Sequence, residues 1–368
     1  MFNYGPASYL QVLNVGDGAC AVLTSPWEMA HFIVDCGATS GGRGAASARI
    51  LSDVLGRSSI AIKDVLITHF DADHWAGILH LPNFWTSTPV SSVTVRYPHL
   101  LPREQGGRTQ AAHLLFQSAL VGGSITPITD IIRAWRAKSV TVVPLAVKRG
   151  DRFRAGGLDW EVHWPPADTT VFTTATRDGF KVLASRIDEL ARSDKSFEQA
   201  VDAVYDDWLA AERIEDAGGQ GYPPEHLEPL AAEVIVGLNL NETELEDIRA
   251  KLSSYANMLS VVHSSESVIN FGDCEGAGLN ALLRLQPTDK DLKSGYDVIL
   301  APHHGTQIPG VRTRSQFPVA RWCLVSQNGP KHLTTAAGDP DIVNFKNTKS
   351  KKCHIDLHVH GHFCWRVD

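Results

Sequence analysis

Thr68-His69-Phe70-Asp71-Ala72-Asp73-His74-Trp75-Ala76-Gly77 sets four potential metal ligands within six residues, directly behind the apolar run Val65-Leu66-Ile67. Where a chain leaves a rigid sheet edge, alternate side chains at 69, 71 and 73 can converge while residue 74 turns back. The spacing suits two cations, one held by His69 and Asp71 and the other by Asp73 and His74. A surface loop whose acids merely cap the next helix is the alternative, and two further segments argue against it.

Phe271-Gly272-Asp273 closes one predicted strand on an acid, and Leu300-Ala301-Pro302-His303-His304-Gly305 closes another on paired histidines. Asp273 alone reads equally well as an N-cap, but a bland core rarely needs two adjacent histidines. Three such strand ends can close on one dinuclear centre, with Asp273 bridging the ions and His303 completing the second. Such a centre would lower the pKa of a bridging water to about 7. Asp73 is the expected catalytic ligand that orients the nucleophile. His304, Lys331 and His332 are candidates to bind the substrate or protonate its leaving side, with a hydrogen bond that only holds a loop as the alternative for each. Histidine with several carboxylates accepts Zn²⁺, and the carboxylate enrichment leans toward Mn²⁺.

Around these segments the chain reads as α/β. Strands are expected at 9–15, 19–24, 32–34, 65–68, 93–97, 140–143 and 158–163, with a short helix over 45–55. After Pro165-Pro166 the pattern changes. Phe180, Leu183, Ile187 and Leu190, then Phe197, Val201, Val204 and Trp208, recur at spacings of three and four with acids between them. Residues 1–166 and 257–368 are therefore read as the two parts of one layered body and 167–256 as a helical insertion. A hairpin turning at 264–267 restarts the strands.

The 368 residues are 43% hydrophobic and 20% charged, a soluble globular composition. No apolar run is longer than a strand, so no membrane span is expected, and six scattered cysteines without a Cys-x-x-Cys pair fit reduced thiols in a cytoplasm. The net charge of −7 is uneven. Residues 168–250 hold 19 acids and 7 bases, leaving 27 bases against 22 acids elsewhere. A polyanion would thus meet the motif-bearing body, where Arg312, Arg314 and Arg321 and the run Lys346, Lys349, Lys351 and Lys352 are candidates for phosphate contact. The acidic insertion is expected to cap the pocket or dock a partner protein.

Taken in order, these segments resemble the metallo-β-lactamase fold, and within it the branch like the hydrolase domain of ComEC, the bacterial competence DNA-uptake channel. The resemblance runs through Val12-Leu13-Asn14-Val15-Gly16-Asp17-Gly18, Ile33-Val34-Asp35-Cys36-Gly37, the 68–77 segment, Asn257 through Asp273, and Pro302-His303-His304-Gly305. Asp71, where most of the superfamily has a second histidine, the double histidine, and Ser326-Gln327-Asn328 followed by His332 point to that branch. It implies an αββα sandwich with metals at one edge, His69, Asp71, Asp73, His74, Asp273 and His303 as ligands of two divalent ions, and Ser326 and Asn328 beside the substrate. Two features depart from the pattern. Asp17 stands where glutamine is common, and no histidine between 75 and 256 completes the first metal site: His80, His99 and His113 have loop- or helix-like surroundings, and His163 lies in the strand before Pro165-Pro166. The first site is therefore expected to be weak or partly water-ligated. The resemblance implies a hydrolase, with a phosphodiester in nucleic acid or a nucleotide as the favoured substrate. An ester, lactone or amide is the competing substrate, and a non-catalytic binding subunit is disfavoured because nearly all ligand positions are filled.

Overall fold

A computed structural model describes residues 7–15, 18–38, 43–56, 59–84, 90–124, 126–214, 230–289, 292–305, 317–325, 354–356 and 363–367. Among these residues two seven-stranded sheets form. In chain order the strands are β1 (Ser8–Val12), β2 (Cys20–Ser25), β3 (Ala30–Cys36), β4 (Ala61–Leu66), β5 (Ser92–Pro98), β6 (Thr141–Val147), β7 (Arg152–Ala155), β8 (Leu158–Trp164), β9 (Val262–Ser264), β10 (Val268–Asn270), β11 (Gly295–Leu300), β12 (Val319–Val325), β13 (His354–Asp356) and β14 (Phe363–Val367). One sheet has the order β14-β1-β2-β3-β4-β5-β6 and the other β13-β12-β11-β10-β9-β8-β7. The expected hairpin is present, with Asn270 opposite His263 and Ile269 opposite Ser264.

Nine α-helices accompany them among the described residues: α1 (Arg43–Leu55), α2 (Ala72–His80), α3 (Gly107–Val121), α4 (Pro127–Arg136), α5 (Thr174–Ser193), α6 (Lys195–Ile214), α7 (Ala231–Gly237), α8 (Glu242–Asn257) and α9 (Gly276–Asp289). None is long and apolar enough to cross a membrane.

Alternation along the strands explains the layering. Phe32 and Val34 of β3 join Leu10, Leu23, Trp160, Val162, Val268 and Val298 in a core between the sheets. Ile33, pointing the other way, joins the core under α1 to α4. On the second sheet Val268 and Val298 face inward, whereas Ile269 and Ile299 pack with Leu279, Leu282 and Leu283 of α9. This is the αββα sandwich that the resemblance implied.

The parallel order sets the functional edge. β3, β4, β5 and β6 pair in parallel, as do β10, β11 and β12, so each group discharges its C-terminal ends on one side. No described residue of 167–256 belongs to the core between the sheets. Ile187, Leu190, Phe197, Val201, Trp208 and Leu252 nevertheless share one buried cluster with Phe70, Trp75 and α3. Part of their acidity is neutralised internally: Arg108 reaches Asp188 at 2.9 Å and Asp202 at 3.2 Å, and Arg103 also pairs with Asp202.

Candidate metal centre

α2 begins inside the ligand-rich segment, so the expected loop is shorter than its sequence suggests: His69 precedes the helix and Asp73 and His74 occupy its first turn. Three glycines make room for that turn. A Cβ on Gly37 would overlap the Asp73 carbonyl carbon and the His74 nitrogen, one on Gly18 would come within 2.7 Å of the Asp73 carbonyl oxygen, and one on Gly77 within 2.6 Å of Cys36 Sγ. Ala19 N–H donates to the Asp73 carbonyl at 3.0 Å and Ala38 N–H to that of Ala72 at 3.3 Å. Gly18 and Ala19 before β2, and Gly37 and Ala38 after β3, therefore clasp the ligand segment from both sides.

His74 sits at the centre. Its Nδ1 donates to Asp35 Oδ2 at 2.9 Å, and its Nε2 lies 3.2 Å from Asp273 Oδ1. Asp35, at the end of β3 with φ of 56°, also accepts from Thr68 N–H at 2.7 Å and Thr68 Oγ1 at 2.8 Å. Such a carboxylate–histidine pair orients an imidazole and raises its basicity as a ligand. The sequence reading placed Asp35 in a motif but assigned it no role.

His304 closes the cluster, with Nε2 at 3.2 Å from Asp73 Oδ2, 3.3 Å from Asp273 Oδ2 and 3.4 Å from His74 Nε2. His303, expected as the ligand, points elsewhere: its Nδ1 meets Glu275 Oε2 at 2.5 Å and its Nε2 stays 3.9 Å from Asp273 Oδ2. Both residues have positive φ in a sharp turn after β11, and the turn brings His304 rather than His303 against Asp73 and Asp273. His69, Asp73, His74 and Asp273 converge as expected. Asp71 lies alongside, with Oδ2 at 3.7 Å from His69 Nε2 and Oδ1 at 2.6 Å from His113 Nε2. Ser326, Asn328, Lys331 and His332 lie outside the described residues, as do Arg312, Arg314 and the lysine run. His163 instead meets Ser264 Oγ at 2.8 Å.

Charge balance fits a cation at this position. Burial alone would depress His304, yet Asp273 and Asp73 push it up to about 10. Burial likewise opposes His74, and Asp273 and Asp35 hold it well above the ordinary imidazole range. Burial would raise Asp273, but His304 and His74 keep it well below the carboxylate range. For Asp71 too, burial is outweighed, here by the imidazoles of His113 and His69. Without metal, protons supply the positive charge these carboxylates require. Two overlapping donor groups, His69-His74-Asp273 and Asp73-His74-His304, each lie within 4.8 Å, and buried His69 Nε2 has no hydrogen-bond partner among the described residues. Imidazole and carboxylate donors so spaced fit divalent metal ions.

No curated protein matches the chain. Solved structures that align with parts of the chain include the metallo-beta-lactamase fold protein YhfI of Bacillus subtilis, at 12% identity and TM-score 0.23, covering 42% of this chain and 52% of that one. A HARLDQ-motif mutant of a Cronobacter sakazakii metallo-beta-lactamase aligns at 16% identity and TM-score 0.23, over 41% and 48% of the two chains. The chain thus spans about half the length of these two proteins. A further mutant of the Cronobacter sakazakii protein aligns at 13% identity and TM-score 0.27, over 69% and 98%. More direct is the match of residues 17–185 to the family model of the metallo-beta-lactamase superfamily, which takes in the clasped ligand segment and both arms of its clasp. Residues 17–185, a little under half of the chain, are accordingly similar to the domain of the metallo-beta-lactamase superfamily.

Proposed function

We propose that this chain is a phosphodiesterase or nuclease acting on nucleic acid or nucleotides, in the branch that resembles the ComEC hydrolase domain, with two divalent ions, Zn²⁺ or Mn²⁺, as cofactors. The observation that carries this reading is the convergence of two carboxylates, Asp73 and Asp273, on His304, 3.2 and 3.3 Å away. This mixed imidazole and carboxylate donor set suits divalent ions that neutralise phosphoryl charge. The excess of 27 bases over 22 acids outside residues 168–250 supports a polyanionic substrate.

Bound here, a divalent ion supplies Lewis acidity that acidifies water to a pKa of about 7 and draws charge from a phosphoryl oxygen. The chain's own residues divide the remaining work. Asp273 is 5% exposed and closes the floor, whereas Asp73 is 16% exposed and faces the open edge, where it can orient an incoming nucleophile. Asp35 keeps His74 turned with Nε2 toward Asp273.

The test uses protein stripped with chelator and reloaded with one metal at a time, assayed on bis-p-nitrophenyl phosphate, DNA, RNA, cyclic nucleotides and a lactone. Turnover of phosphodiesters above lactone is the expected result. Lactone turnover without phosphodiester turnover would overturn the substrate assignment.

A further inference from the structure

Asp71 occupies the N-cap position of α2, yet its side chain caps nothing in that helix. Its Oδ1 accepts three hydrogen bonds: from His113 Nε2 at 2.6 Å, Gln117 Nε2 at 2.9 Å and Ser253 Oγ at 3.2 Å. Gln117 is itself anchored, because its Oε1 accepts from Ala72 N–H at 3.1 Å. Three donors on one oxygen fix the direction of the other. Asp71 Oδ2 consequently lies 3.7 Å from His69 Nε2, the buried nitrogen that lacks a hydrogen-bond partner among the described residues. Two metal–ligand bonds of about 2.0–2.2 Å span up to roughly 4 Å end to end, so donors at this separation can share one ion.

We propose that His113, together with Gln117 and Ser253, is a positioning residue for the first metal ion, holding Asp71 so that its Oδ2 is presented beside His69. The proposal rests on the metal-centre reading and is independent of the substrate. His113 is 3% exposed on α3, and Ser253 comes from α8. The segment read from the sequence as an insertion therefore contributes a group to the metal centre. It also supplies what the histidine count of 75–256 left open: support for the first site comes through the carboxylate rather than from another ligand.

The experiment titrates chelator-stripped, full-length protein with Zn²⁺ and with Co²⁺ against a chromophoric competitor, reading stoichiometry, the affinity of each ion and the Co²⁺ absorption spectrum. The parent is expected to bind two ions. His113→Phe should keep one at parental affinity and bind the other about 10–100-fold more weakly, the usual effect of removing a group that orients a ligand. His113→Gln, which places an amide donor near the same position, should recover most of that loss. Ser253→Ala, a small change on a half-buried helix face, should weaken the same ion about fivefold without shifting the melting temperature in chelator. Parental affinity for both ions in His113→Phe overturns the proposal, as does parental affinity in Ser253→Ala if His113→Phe does not fold. Failure of His113→Gln to rescue makes His113 a direct ligand and overturns the positioning role. A parent that binds fewer than two ions overturns the dinuclear reading and this proposal with it.

Discussion

His74 turns its Nδ1 onto Asp35 Oδ2 at 2.9 Å, which leaves Nε2 as the nitrogen facing Asp273 and His304. The pair joins the end of β3 to the first turn of α2. Asp35→Asn keeps the shape and an acceptor for Thr68 but loses the negative charge behind His74. It should weaken metal binding about 10–100-fold in a competition titration. Unchanged affinity would show that Asp35 only ties Thr68 in place.

His304 and His303 should separate cleanly. His304→Ala removes a nitrogen surrounded by Asp73, Asp273 and His74 and should lower turnover on the order of 100-fold or more, with loss of bound metal. His303→Ala removes a partner of Glu275 and should cost far less. Equal losses in steady-state assays and metal analysis would contradict this assignment of His304 to the centre.

Much of this centre is legible in the sequence. The 68–77 segment stands out because an apolar strand delivers it to a sheet edge, and Asp273 ends a strand for the same reason. The choice between His303 and His304 was hidden, because it depends on the positive backbone angles of one turn. α3 was hidden for a different reason. Ala111 through Ser118 are buried without interruption, so the helix shows no apolar stripe, and His113 read only as a residue in loop- or helix-like surroundings. Asp35 appeared in its motif, but only the fold brings it 39 residues along the chain to His74.

The clasp around Asp73 predicts a steric contrast between two glycines. Gly37→Ala forces a Cβ into the backbone of Asp73 and His74, which cannot yield, and should destabilise the protein by upwards of about 3 kcal/mol. Gly179→Ala sits on an exposed turn inside α5 with nothing within 4 Å, and should stabilise it by about 0.5–1 kcal/mol. Thermal or urea melts of the two variants check both signs.

A pH effect is expected away from the metal centre. His263 lies between Phe32 and Trp160, and burial, with His163 nearby, lowers its pKa to about 3. Because the folded value is depressed below the unfolded value of about 6.5, the neutral ring's contribution is fully present above pH ~6.5 and is lost as pH falls toward 3. Neither ring nitrogen has a hydrogen-bond partner among the described residues, which adds a cost at every pH. His263→Leu should therefore match or exceed the parent at pH 7 and gain on it at pH 5, in urea melts with chelator present. A larger deficit at pH 5 than at pH 7 would contradict this assignment.

The central claim is tested most directly by bis-p-nitrophenyl phosphate hydrolysis in the parent and in Asp73→Ala, each stripped and reloaded with Mn²⁺ or Zn²⁺. Asp73 lies 16% exposed at the open edge, 3.2 Å from His304, so its loss should spare folding. The variant should elute and melt like the parent yet lose on the order of 100-fold or more in turnover, at least roughly 2.7 kcal/mol of transition-state stabilisation. Hydrolysis by Asp73→Ala at the parental rate with either metal restored would contradict the account.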